Sequence, residues 1–113
     1  MNTEEAIRTA IRTRHRLAFT YRGLPRIVNP ERLGRSTGSV LRLRAVQVGG
    51  ESASGRYGGS APKLFDIDLM TDVSVLDGVF RVPRQYRRGD DAFARIDAEL
   101  LDEATITRGS GTS

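Results

Sequence analysis

The sequence predicts a small, mainly β domain: five short strands in a strongly bent sheet or barrel, with one helix before them and one after. Three observations carry this. Short runs of alternating apolar and polar residues follow one another between residues 16 and 80, separated by turn residues. The two ends carry apolar residues at helical spacing instead. At 113 residues the chain suits one domain with a modest core.

The first helix is expected over residues 3–14. Asn2 or Thr3 is placed to cap it, and Asn2 with Glu5 has capping-box spacing. Glu4 and Glu5 complement the helix dipole in the first turn. Ala6, Ile7, Ala10 and Ile11 form one apolar stripe. The basic end, Arg12 through Arg16, suits dipole compensation on a solvated face.

In residues 17–21, Leu17, Phe19 and Tyr21 alternate with Ala18 and Thr20, the pattern of a half-buried strand. Gly23, Leu24 and Pro25 are read as a turn, after which Arg26, Ile27 and Val28 restart a strand that Pro30 limits. The hairpin so formed carries Arg16, Arg22, Arg26 and Arg32. Gly34 to Gly38 is a turn by composition. Residues 40–48 read as a central strand, with Leu41, Leu43 and Ala45 on one side and Val40, Arg42, Arg44, Val46 and Val48 on the other.

Residues 49–62 are a Gly- and Ser-rich loop of the length that often carries function. Two more strands follow, at 63–69 and 73–80. A connector with Arg81, Arg84, Arg87 and Arg88 then leads to Asp90 or Asp91, either of which could cap a helix over residues 91–102. Phe93, Ile96, Leu100 and Leu101 would be its apolar stripe. The domain is expected to span residues 1–103, with 104–113 a disordered tail.

Cysteine is absent, which excludes disulfides, thiolate catalysis and Cys-based zinc sites. No apolar run is long enough to cross a bilayer, and residues 1–13 lack the apolar core of a signal peptide. A cytoplasmic protein without membrane attachment is the expectation. The net charge of +4 is uneven: residues 1–48 hold ten arginines against Glu4, Glu5 and Glu31, for +7. Seventeen of the 18 basic residues are arginine, which suits bidentate recognition of phosphate and stacking on bases. Codon bias accounts equally well for the arginine preference, but not for its concentration in the first half.

The candidates for anion binding are Arg16, Arg22, Arg26, Arg32 and Arg44, with Tyr21 and Tyr57 as stacking surfaces. Tyr21, at the end of an apolar strand, is read as core ahead of stacking. Arg42 and Arg44 share a spacing of two with Asp66 and Asp68. On neighbouring antiparallel strands the four would form a charge ladder, which competes with ligand binding by both arginines. The single histidine, His15, sits between two arginines and is read as a solvated helix-end residue. No nucleophile, acid–base pair or metal-loop spacing points to catalysis.

Taken together, YRGLPRIVNP, LRLRAVQVGG and KLFDIDLMTDVSVLDGVF give the chain a resemblance to the WYL domain of bacterial transcription regulators over residues 6–80. The resemblance implies an Sm-like, SH3-type barrel behind an N-terminal helix. It also implies a ligand-sensing role toward nucleic acid or nucleotides. Arg26 and Arg44 match family positions, while the tripeptide that names the family is Leu41, Arg42 and Leu43 here. The family's basic positions around Phe65 are Asp66 and Leu69. The expectation is a standalone, non-enzymatic regulatory module without a helix-turn-helix domain. It would use no cofactor, bind single-stranded nucleic acid or a nucleotide through Arg26, Arg44, Arg42, Arg22, Arg32, Arg16 and Tyr21, and act through a regulator protein. The alternative is a structural module that forms homo-oligomers through exposed strand edges.

Overall fold

The computed structural model describes residues 2–50 and 61–101. They form a helix α1 (Thr3–Thr13) and six antiparallel strands: β1 (His15–Tyr21), β2 (Leu24–Arg35), β3 (Leu41–Gly50), β4 (Lys63–Asp66), β5 (Met70–Val79) and β6 (Arg95–Glu99). The sheet runs β4-β3-β2-β1-β5, and β6 pairs with β2. A 3-10 turn at Ile67–Leu69 joins the edge strands β4 and β5, which do not pair with each other. The sheet is therefore strongly bent but not closed: of the five-stranded bent sheet or barrel expected, the open form is found, with a sixth strand.

Local chemistry explains α1. The Asn2 side chain accepts from Glu5 N–H at 2.8 Å, and its amide donates to the Glu5 carboxylate at 3.3 Å. At the other end Arg14 adopts φ 57°, and its N–H reaches back to Ala10 and Ile11 carbonyls. The stripe Ala6, Ile7, Ala10 and Ile11 is buried against Leu17, Phe19, Val28, Leu33, Leu43, Ala45 and Phe65 of the sheet. His15 begins β1, and its Nδ1 lies 2.7 Å from Thr13 Oγ1.

The β1–β2 turn is Arg22-Gly23, not Gly23-Leu24-Pro25. Both residues have positive φ, 53° and 81°, and Tyr21 pairs directly with Leu24. Two such residues twist a hairpin in the sense its strands require. Pro30 does not end β2 either. The register slips between Pro30–Ala45 and Arg32–Arg44, leaving Glu31 as an extra residue, and a bulge is where a strand accommodates proline. The bulge lets one twelve-residue strand pair with β1 through its first half and with β6 through its second.

The expected C-terminal helix at 91–102 is absent among the described residues. β6 occupies Arg95–Glu99 instead, with Leu33 opposite Ala98 and Gly34 opposite Ile96. Gly34, expected in a turn, is a strand residue. A Cβ there would collide with the Arg95 carbonyl and stand 2.9 Å from Ile96 Cα, so only glycine lets β6 dock this closely. Residues 51–60, Tyr57 and the expected tail at 104–113 lie outside the described residues.

Candidate anion-binding site

The hairpin and the edge of the sheet bring cations together with aromatic rings. On the helix-facing side, Phe19 and Tyr21 of β1 meet Phe65 of β4 edge to face, with centroids 5.2 and 5.0 Å from the Phe65 ring. The Tyr21 hydroxyl accepts from Asp66 N–H at 3.0 Å, so Tyr21 is a core residue. Arg26, paired with Phe19 across the hairpin, lays its guanidinium 5.4 Å from the Tyr21 centroid and 5.8 Å from that of Phe65. Arg22, in the turn, lies 5.6 Å from the Tyr21 centroid.

Arg26 is only 5 % exposed. Its Nη1 donates to Gln47 Oε1 at 3.2 Å, and Lys63 Nζ donates to the same oxygen at 3.4 Å. Arg26 Nε has no hydrogen-bond partner. Among the described residues no carboxylate pairs with Arg26, Arg22 or Lys63. Burial pushes the Arg26 pKa down, with Tyr21 opposing and Arg22 adding to the fall, yet arginine stays charged at neutral pH. A buried charge is costly unless an anion meets it, and cation–π contacts return only about 0.5–2 kcal/mol each. Two cations converge on one neutral oxygen, beside an unused N–H, with no described carboxylate to offset them.

The other arginines expected at the site face elsewhere. Arg32 and Arg44 stand side by side on the opposite face of β2 and β3, and both reach Asp90. Arg32 also meets Glu99 at 3.3 Å and the Arg87 carbonyl at 2.9 Å, with its guanidinium 5.0 Å from the Tyr86 centroid. Burial alone would raise the Asp90 carboxyl. Hydrogen bonds from Arg44 and Ala92 N–H, with the charges of Arg44 and Arg32, bring it below its ordinary value. Tyr86 is pushed up to about 12 by burial, and its hydroxyl donates to Leu100 O at 2.8 Å. Arg16 Nε donates to Asn29 at 3.3 Å.

Half of the expected charge ladder forms. Arg42 pairs with Asp66 at 2.8 Å across β3 and β4, an ion pair outside hydrogen-bond geometry. Arg44 faces Leu64 rather than Asp68, because Asp68 falls in the 3-10 turn, and its acid comes from Asp90. The structure thus brings together Arg22, Arg26 and Tyr21 of the expected set and separates them from Arg16, Arg32, Arg42 and Arg44. It adds Lys63 and Gln47, which sequence reasoning missed. The signal for Lys63 was its being the only lysine in an arginine-rich chain; Gln47 gave none.

Among the described residues, no group of three or more His, Asp or Glu is arranged to hold a metal ion, and no helix is long and apolar enough to cross a membrane. No family model, curated protein or solved structure matches the chain.

Proposed function

We propose that this domain is a non-enzymatic ligand-binding module of the WYL type that binds single-stranded nucleic acid or a nucleotide and acts through a partner protein. The observation that carries the reading is Arg26, a cation buried beside Tyr21 and Phe65 with no carboxylate among the described residues. A phosphate there would accept from Arg26 and Lys63, with Arg22 at the rim. The fold that supports the reading is a small β-rich domain, a helix ahead of an antiparallel sheet whose two edges are joined by three residues without closing. The test is binding of a fluorescent single-stranded oligonucleotide across a salt series. Affinity should fall steeply with salt as phosphate contacts release counterions. No binding at low salt, or a flat response, removes the nucleic-acid reading.

The second reading, an oligomerisation module, is favoured by β5. Its ten residues form an edge that, among the described residues, pairs with β1 alone. Asp72 and Asp77 stand exposed on that strand and oppose pairing between copies. Light scattering with and without oligonucleotide separates the two readings: a stable oligomer indifferent to nucleic acid supports the second.

A further inference from the structure

Glu31 is the extra residue of the β2 bulge, and it is 4 % exposed. It lines a cavity of about 510 Å³. The cavity lies between Asn29, Val46 and Val48 of the sheet and Phe80, Pro83 and Tyr86 of the segment that follows β5. Among the described residues no hydrogen bond or ion pair meets the Glu31 carboxylate. Three neighbouring donors are engaged elsewhere: Arg32 by Asp90 and Glu99, Arg44 by Asp90, and the Tyr86 hydroxyl by Leu100 O. Burial pushes the Glu31 carboxyl up, against the pull of Arg32 and Arg44. A carboxyl group this nearly buried and without a protein donor among the described residues is costly to keep. The open space beside it is of ligand size, with largely apolar walls.

We propose that this cavity is a second ligand site, which takes a flat aromatic or heteroaromatic group presenting two adjacent N–H donors to Glu31. A carboxylate offers two acceptors side by side and so matches two N–H groups on one edge of a ring or amidine. Tyr86, Phe80, Pro83 and Val46 enclose the flat body. The site lies on the opposite face of β2 from Arg26, so it stands apart from the anion reading.

The test is calorimetric titration of the full chain with guanosine, inosine and benzamidine. Guanosine and benzamidine carry the paired donors, and inosine lacks one. The expected result is saturable binding of guanosine and benzamidine, with inosine at least about tenfold weaker. Glu31→Gln, which replaces one acceptor by a donor, should weaken benzamidine by at least about tenfold as well. Val46→Phe narrows the cavity and leaves Glu31 in place, so it should abolish binding while the melt stays cooperative. It decides the matter should Glu31→Gln not fold. Absence of saturable binding by both guanosine and benzamidine overturns the proposal. So does guanosine binding no tighter than inosine, or unchanged binding to a folded Glu31→Gln or Val46→Phe.

Discussion

Asp90 and Arg44 meet in a two-point ion pair, with Asp90 Oδ2 2.8 Å from Arg44 Nε and Oδ1 3.2 Å from Nη2. The same Oδ2 takes a hydrogen bond from Arg32 at 3.0 Å. One carboxylate from a segment without regular structure thereby pins that segment to two strands of the sheet. Asp90→Ala leaves two largely buried guanidiniums short of their acid, so it should destabilise the fold by about 3 kcal/mol. Chemical denaturation measures this. Arg44→Ala should be costly too, in contrast to the small effect expected of a solvated strand arginine.

The same pair sets a pH dependence. The folded Asp90 carboxyl is held below its ordinary value, against its own burial, by Arg44, Ala92 N–H and Arg32. Its contribution is therefore fully present above the unfolded pKa of about 3.9 and is lost as pH falls through the folded value. Glu31 has the opposite sign. Its carboxyl is raised by burial, so its contribution is greatest at low pH and is lost as pH rises through the folded value. The stability gap between wild type and Asp90→Asn should shrink between pH 5 and pH 2 (roughly the window of an acidic carboxylate). Glu31→Gln should be more stable than wild type at neutral pH.

Gly34 tests the sixth strand. Its missing Cβ is where the Arg95 carbonyl and Ile96 Cα approach. Gly34→Ala should destabilise by about 3 kcal/mol or push β6 off the sheet. Hydrogen exchange at Ala94 and Leu100 N–H, which donate to Arg35 and Glu31 carbonyls, distinguishes the two outcomes. Unchanged stability with full protection would contradict the docking of β6.

The Arg42–Asp66 pair offers a contrast. Both side chains are about one-third exposed, at 33 % and 34 %. A double-mutant cycle should give a coupling of only ~0–1 kcal/mol.

How much of this was legible in the sequence follows from how local each signal is. The α1 cap rests on Asn2 and Glu5, three residues apart, and could be read directly. The alternation of Leu17, Phe19 and Tyr21 likewise fixed a face. β6 was misread because Phe93, Ile96 and Leu100 fit a helical stripe while Ile96, Ala98 and Leu100 fit a strand equally well. A distant glycine, Gly34, makes room for the strand, and no window around residue 96 contains it. The site divided in the same way. Arg26 stood out by its place in the hairpin, and it lies over Tyr21 and Phe65 beside Arg22. The neutralisation of Arg32 and Arg44 depends on Asp90, 58 and 46 residues away, and could not be seen. The charge ladder failed at its second rung because the chain leaves the strand at Ile67, before Asp68.

The most direct measurement is the affinity of Arg26→Met for a single-stranded oligonucleotide at low salt, set beside its melting temperature. Methionine keeps much of the aliphatic length and removes a charge that no described carboxylate offsets. If Arg26 is retained for an anionic ligand, affinity should fall at least about tenfold and the salt dependence should weaken, while the melting temperature holds or rises. Affinity and salt slope equal to those of wild type, with a loss of stability, would contradict the account: Arg26 would then be a core residue held by Tyr21, Phe65 and Gln47 alone.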